Sequence, residues 1–148
     1  MNEIEIFLYL NRGLVGHLIG WQTRSAYSHA AIRVKGILYQ SKEGKGVFSR
    51  EELDVEDSLA EIYKIEVTPK QLVVLEEFLQ QQVGKKYDYT MVFRFLTRQQ
   101  ESRKTSNKWF CSELVFASCM KAGVILLRDT ESWEVSPSLL SRSVLLKD

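Results

Sequence analysis

The sequence has little of what several classes of protein require. Its 148 residues include two cysteines, two prolines and two histidines, and its apolar runs are short. Cys111 and Cys119 fall on one predicted helix, about 12 Å apart at 1.5 Å of rise per residue, which is too far for a disulfide. The cysteines and histidines show no zinc-ligand spacing. We therefore expect neither a disulfide scaffold nor a metal or other cofactor.

An excess of charge of one sign is also lacking. The chain has 20 Lys and Arg against 19 Asp and Glu, a net charge of +1, which gives no electrostatic reason to expect nucleic acid as a partner. No apolar run approaches the roughly 20 residues of a transmembrane helix. The start "MNEIEIFLYLNRG" carries acids where a signal peptide carries bases. We expect synthesis in the cytoplasm, and export, if any, by a non-classical route such as phage lysis.

The residues that are present are sufficient for a single domain over residues 1–148, since 45% of them are hydrophobic. Alternating polarity predicts strands at 4–10, 29–34, 37–41 and 60–67, with Lys35-Gly36 as a hairpin turn between the middle two. Apolar spacing and capping residues predict helices at 13–24, 69–83 and 110–122, and a last turn opened by Ser136 and Pro137.

Three further segments have weaker patterns. "SREE" at 49–52 predicts a helical turn with a capping box. The pattern of residues 86–96 is compatible with either a helix or an extended chain. Residues 97–108 include no apolar side chain, which predicts an exposed loop. The whole order of elements predicts an α+β domain in which an antiparallel sheet packs against helices.

Cys111, in "WFCSELVF", is the first candidate for chemistry. It lies in the first turn of a predicted helix, with Ser106 and Asn107 as candidate caps of a slightly earlier start, where free backbone N–H groups and the helix dipole stabilise a thiolate. Free cysteine is equally typical of a buried core position, so the pattern alone leaves both interpretations open. Cys119 lies in mid-helix, and packing explains it.

His29 is the better candidate for a base that would activate such a thiol, because His17 lies among apolar residues of a predicted helix. A base needs a third group that orients its ring. With the hairpin register set by Lys35-Gly36, His29 and Gln40 share one face and lie diagonally, within reach of a hydrogen bond. The alternative is a solvated Gln40. Glu113, two residues after Cys111, points to another side of the helix and suits a helix-stabilising role.

These motifs, taken together, resemble a known family. "IFLYLNRGLVGHLIGWQTRSAYSHAAIRV", "VGKKYDY", "WFCSELVFASCMKAG" and "VSPSLL" resemble, in order, segments of the permuted papain-like amidases, the YaeF/YiiX-type branch of the NlpC-like superfamily. The resemblance implies a circularly permuted papain-like fold with the nucleophile at a helix N-terminus. It implies Cys111 as nucleophile, His29 as base and Gln40 as the third residue. It also implies Tyr87 and Ser112 as substrate or oxyanion contacts.

The implied activity is that of a cysteine hydrolase. The leading expectation is cleavage of an amide bond in a peptide or peptidoglycan stem peptide through a thiol acyl-enzyme, without a cofactor. One alternative is acyl transfer or thioester chemistry on a lipid, because lecithin retinol acyltransferases share this layout. The other is a binding module that keeps the fold without turnover. Relatives often carry Glu or His at the third position, so Gln40 departs from them by lacking charge.

Overall fold

The structure, a computed structural model, describes residues 2–10, 27–89, 108–128, 130, 135–143 and 145. Within these ranges the protein has an α+β architecture built on a five-stranded antiparallel sheet, as the sequence predicts. The strands are β1 (Asn2–Leu10), β2 (Tyr27–Val34), β3 (Ile37–Lys42), β4 (Gly46–Arg50) and β5 (Glu61–Val67). Their order across the sheet is β4-β3-β2-β1-β5.

The described helices are α1 (Val55–Ser58), α2 (Pro69–Gln82), α3 (Cys111–Lys121) and α4 (Pro137–Leu140). Three of the predicted helices are confirmed: α2 is capped by Thr68, α4 is capped by Ser136, and α3 begins at Cys111. The predicted helix at 13–24, the loop at 97–107 and most of the ambiguous segment 86–96 lie outside the described residues.

The predicted helical turn at Ser49 is wrong. Ser49 and Arg50 belong to β4, where they pair with β3. The capping box lies a few residues later, because the Asp54 side chain accepts the Asp57 N–H at 3.0 Å and the Asp57 side chain accepts the Asp54 N–H at 2.9 Å. Strand pairing holds Ser49 and Arg50 extended, and the acids of "DVED" form the capping box a few residues later.

The β2–β3 hairpin has the predicted register. Val34 pairs with Ile37 across Lys35 (φ 52°) and Gly36 (φ 77°), the two left-handed residues of a two-residue turn. This register fixes which side chains of β2 and β3 share a face, and thereby the neighbours of His29.

The sheet buries apolar side chains on both faces. One face packs against α2, α3 and α4 and forms the larger core, which includes Ile6, Leu8, Ile32, Leu75, Leu79, Leu114 and Phe116. The other face carries a smaller cluster of Phe7, Tyr9, Ala31 and Leu38, with Ala60 against it. At roughly 25 cal/mol per Å² of buried apolar surface, the larger core supplies most of the hydrophobic stabilisation.

Candidate active site

His29 and Gln40 are in direct contact on the face of the smaller cluster. His29 lies near the start of β2 and Gln40 near the end of β3, and Nε2 of His29 is 2.8 Å from Oε1 of Gln40. The hydrogen bond predicted from the hairpin register is therefore present. Gln40 is almost fully buried, with 3% of its surface exposed, so it is not the solvated strand residue of the alternative interpretation.

The Gln40 contact determines which nitrogen of the His29 ring carries the proton. A carboxamide oxygen only accepts, so Nε2–H of His29 donates to it and Nδ1 keeps its lone pair. Burial lowers the His29 pKa from 6.5 to about 4, although the bond to Gln40 acts in the opposite direction. At neutral pH His29 is therefore a neutral imidazole whose Nδ1 can accept a proton.

A buried polar network that the sequence analysis missed supports the His29 ring. Tyr9 pairs with His29 across β1 and β2, and the two ring centroids are 4.9 Å apart. The Tyr9 hydroxyl donates to Oδ1 of Asp57 at 2.6 Å, and Arg50 holds the same carboxylate with contacts of 2.9 and 2.5 Å. This chain of contacts fixes the Tyr9 ring, which forms one wall beside His29.

Asp57 is the centre of that network and is fully buried. Burial alone would raise its pKa, but the hydrogen bonds from Arg50, Tyr9 and the Asp54 N–H outweigh it and lower the pKa. Asp57 is therefore a carboxylate at neutral pH. The alternation of β1 places Tyr9 on the same face as Phe7, but no sequence pattern shows that Asp57 and Arg50 meet it.

Cys111 is the first residue of α3, so its thiol lies at the helix N-terminus as predicted. The residues just before Cys111 lie where β2 and β3 separate. The pairing of β2 with β3 ends at Ile32 and Tyr39. Beyond that point the Ser41 hydroxyl donates to the Trp109 carbonyl at 2.6 Å. The N–H of Ala30 points at the Cys111 sulfur. That amide belongs to the peptide bond that follows His29, so the thiol lies against the β2 backbone one residue after the candidate base.

The Cys111 thiol is neutral in the resting protein, in contrast to the stabilised thiolate that the sequence predicts. The backbone N–H groups of Ala30, Ser112 and Cys111 do favour the thiolate, but burial outweighs them and raises the pKa to about 12. Burial also raises the pKa of Cys119 to about 12, and the hydrogen bond with the Ser118 side chain acts in the opposite direction. The two thiols therefore differ in their hydrogen-bond donors, because backbone N–H groups contact Cys111 and a serine side chain contacts Cys119.

Tyr87 lies on the same side of the molecule as Cys111. Its backbone bridges to Trp109, its ring centroid is 5.7 Å from that of Phe110, and the nearby Cys111 contributes to the rise of its pKa, which burial dominates. Tyr87 also packs edge-on against Tyr89 at 4.9 Å, and the Tyr89 hydroxyl accepts the Gly44 N–H at 2.8 Å. The aromatic residues thus connect the β3–β4 turn to the start of α3.

Ser112 and Glu113 both support the start of α3. The Ser112 hydroxyl donates to the Val135 carbonyl at 2.6 Å, and both the backbone N–H and the side chain of Ser112 contact the Cys111 thiol and act to lower its pKa. Glu113 is buried, and its Oε1 accepts the Phe110 N–H at 3.2 Å, consistent with the helix-stabilising role. The role of Ser112 as a substrate or oxyanion contact stays a prediction. Phe110 is the N-cap residue, in place of Ser106 or Asn107.

Comparisons with known proteins supply no relative for the chain: neither a scan against protein-family models nor a search of curated proteins found a match. Within the described ranges, no group of three or more His, Cys, Asp and Glu side chains is placed to hold a metal ion. None of the described helices combines the length and the apolar character needed to cross a membrane.

Proposed function

We propose that this protein is a cysteine hydrolase with a circularly permuted papain-like arrangement, in which Cys111 is the nucleophile and His29 the base. The observation that carries the proposal is the 2.8 Å hydrogen bond between His29 Nε2 and Gln40 Oε1. It leaves Nδ1 of the ring as the free base, while the Ala30 amide beside it points at the thiol of Cys111. Nucleophile, base and orienting group are the three parts that such chemistry needs.

The proposed reaction is hydrolysis of an amide bond. The Cys111 sulfur attacks the carbonyl carbon and forms a C–S bond, while the thiol proton passes to His29 Nδ1. The same proton then goes to the leaving nitrogen as the C–N bond breaks. Water attacks the thioester, gives a proton to His29 and releases a carboxylic acid, and that proton returns to the sulfur. The N–H groups at the start of α3 are suitable donors to the oxyanion.

Because both groups are neutral at rest, the proposal requires proton transfer during attack rather than a preformed thiolate–imidazolium pair. The pKa of Cys111 is about 12 and that of His29 about 4, so neither group ionises the other in the unliganded protein. A bound carbonyl at the helix N-terminus would then be attacked with His29 as general base. Removal of His29 should therefore reduce the rate even of small uncharged electrophiles.

The test is a thiol-directed activity probe, followed by mass spectrometry of intact protein. Wild type should be labelled at Cys111, and His29→Ala should slow labelling at least tenfold, in keeping with the usual contribution of a general base. Cys119→Ala is the matched control, because Cys119 is equally buried on the same helix. Equal labelling of both cysteines, or an unchanged rate in His29→Ala, would refute the proposal.

The substrate class is tested separately with wild type and Cys111→Ala. Peptides and peptidoglycan stem peptides should be cleaved by wild type only, and acyl lipids should leave no acyl group on Cys111. An acyl mass shift on Cys111 from a lipid donor, with the peptides inert, would instead identify the lipid acyltransferase alternative. Peptide binding without turnover by the wild type would identify a binding module.

A further inference from the structure

The proposed active site has an orienting group without charge. Gln40 holds the His29 ring through a 2.8 Å hydrogen bond, but a carboxamide is neutral. When the ring takes up the proton of Cys111, a positive charge forms on an imidazole that burial makes costly to ionise. A negative charge near the ring would stabilise that imidazolium, which is one of the two functions of the acid in a Ser-His-Asp triad.

Asp57 brings a carboxylate to the same face of the sheet. Its Oδ1 accepts the Tyr9 hydroxyl at 2.6 Å, and the centroid of the Tyr9 ring is 4.9 Å from that of the His29 ring. One tyrosine side chain therefore connects the carboxylate to the imidazole. The side chain of Asp57 is only 1% exposed, so little water screens its charge.

The Tyr9 ring is held on two sides. The Phe7 ring stacks on it with 6.2 Å between the centroids, and Asp57 holds its hydroxyl. Burial and the adjacent carboxylate raise the pKa of Tyr9, so the hydroxyl stays protonated and donates to Asp57 at neutral pH. Tyr9 also pairs with His29 across β1 and β2. A fixed Tyr9 ring therefore leaves the imidazole little room to turn away from Gln40.

The charges that act directly on the imidazole come from two elements. Lys42, at the end of β3, opposes protonation of His29, and Glu56 of α1 favours it. These two side chains pair with each other at 3.8 Å, so Glu56 offsets part of the effect of Lys42. Asp57 of α1 also favours protonation of the ring. The thiol of Cys111, at the start of α3, is neutral.

Arg50 on β4 reduces the charge of Asp57 without cancelling it. The guanidinium contacts Asp57 at 2.5 and 2.9 Å and Asp54 at 3.4 Å, so one cation faces two carboxylates. Burial alone would raise the pKa of Asp57, but the bonds from Arg50 and Tyr9 lower it overall. Asp57 is therefore ionised near pH 4, where His29 titrates.

We infer that Asp57 is a positioning residue of the proposed hydrolase, because it fixes the Tyr9 ring beside His29. Its carboxylate also stabilises the imidazolium, and thereby supplies the negative charge that Gln40 lacks. The catalytic part of this inference rests on the proposed function. Asp57 acts through Tyr9 and across space rather than by a direct hydrogen bond to the ring, so its effect should be smaller than that of a triad acid.

The first test is the titration of His29, followed by proton NMR in a Cys111→Ala background, which makes it independent of thiol chemistry. Asp57→Asn keeps the shape of the side chain and removes its charge. We expect the protonation constant of His29 to fall at least about threefold, which moves the midpoint below the wild-type value of about 4. A network that was merely loosened would admit water and move the midpoint up toward 6.5.

The control for this titration is Glu66→Gln, which removes one negative charge from an exposed position on β5 and should leave the midpoint unchanged. An unchanged or raised midpoint in Asp57→Asn would overturn the inference that its carboxylate stabilises the imidazolium.

The second test uses Tyr9→Phe, which removes the hydroxyl but leaves the ion pair of Asp57 in place. Long-range proton–nitrogen NMR spectra distinguish the two neutral tautomers of an imidazole. In Cys111→Ala the proton of His29 should be on Nε2 alone, and the added Tyr9→Phe change should also populate the Nδ1–H form. Tyr63→Phe is the control, because it removes a 2.8 Å bond from a tyrosine hydroxyl to a carboxylate of β5. A single Nε2–H tautomer in the Tyr9→Phe variant would overturn the positioning role.

The third measurement is the rate at which the thiol probe labels Cys111 at pH 7.5. Asp57→Asn and Tyr9→Phe should each slow labelling by about three- to tenfold, whereas the two controls should leave it unchanged. Wild-type rates in both site variants would overturn the catalytic part of the inference. Absence of labelling in the wild type would instead refute the proposed function, and the titration and the tautomer would still decide whether the network acts on the imidazole.

Discussion

Acid should destabilise this protein through His29 as the pH falls below about 6.5. The pKa of His29 is lowered from 6.5 to about 4 by burial. As the pH falls below 6.5, His29 is protonated in the unfolded chain but stays neutral in the folded protein. The free energy of unfolding therefore decreases between about pH 6.5 and pH 4, and below pH 4 this contribution becomes constant. Each pKa unit is worth about 1.4 kcal/mol. We therefore expect a loss of about 2–3 kcal/mol between pH 7.5 and pH 4.5.

The measurement is urea unfolding at a series of pH values for wild type and for His29→Gln. The variant should lose most of the pH dependence above pH 4.5, whatever its absolute stability, because Gln does not titrate. His17→Gln is the matched control, since the chain has two histidines. Proton NMR gives the pKa directly, and the spectrum of His17→Gln assigns the resonance of His29.

The reasoning would be refuted by an ordinary titration. If the His29 resonance moves with a midpoint near 6.5, or if His29→Gln keeps the full pH dependence of the wild type, the imidazole is not held neutral. The catalytic proposal would then lose its argument for a fully neutral resting imidazole, because about a quarter of His29 would be protonated at pH 7 and unable to accept the thiol proton.

Three further changes test the framework around the site, each by urea unfolding. Gly46→Ala should lower the free energy of unfolding by more than about 3 kcal/mol, because Gly46 has a φ of 74° and a Cβ there would lie 2.3 Å from the Lys85 carbonyl oxygen. The control is Gly44→Ala, where φ is 80° but the space is open, and it should lower that free energy by about 1–2 kcal/mol. Similar losses in the two variants would contradict the close approach at Gly46. Asp57→Ala should lower the free energy of unfolding by about 3 kcal/mol, because it leaves the Arg50 guanidinium and the Tyr9 hydroxyl without their buried partner. A loss below about 1 kcal/mol would show that this network contributes little to stability. Thr68→Ala should cost about 1 kcal/mol through loss of the 3.1 Å cap on α2, and no loss would mean that this cap is replaced by solvent.

Local patterns predicted most of the described fold. The hairpin followed from two left-handed positions between alternating strands, and α2 followed from its Thr68-Pro69 start and its apolar stripe. The error at Ser49 arose because a capping box is a local signal, and pairing of β4 with β3 is a non-local one that outweighs it. The order of strands across the sheet was not predicted, because it depends on contacts between distant segments.

The candidate site was predictable where it depends on strand register or on the start of a helix, as for Cys111 at the N-terminus of α3. The Gln40–His29 contact follows from the hairpin, since both residues lie on adjacent strands joined by a short turn. The network of Tyr9, Arg50 and Asp57 brings together three separate elements, so no spacing in the sequence could indicate it. The neutral state of the thiol also depends on burial, which a residue's position in a helix does not reveal.

The insertion of the Trp109–Cys111 segment between β2 and β3 has a consequence for the time course of folding. The hairpin that holds His29 and Gln40 closes a short loop, whereas contact between Cys111 and the Ala30 amide closes one of about 80 residues. Short loops close at a lower entropic cost, so His29 and Gln40 should be in place first. A nascent or partly folded chain would then contain an oriented imidazole before Cys111 reaches the β2 backbone, and the proposed activity would appear only with that last long-range contact.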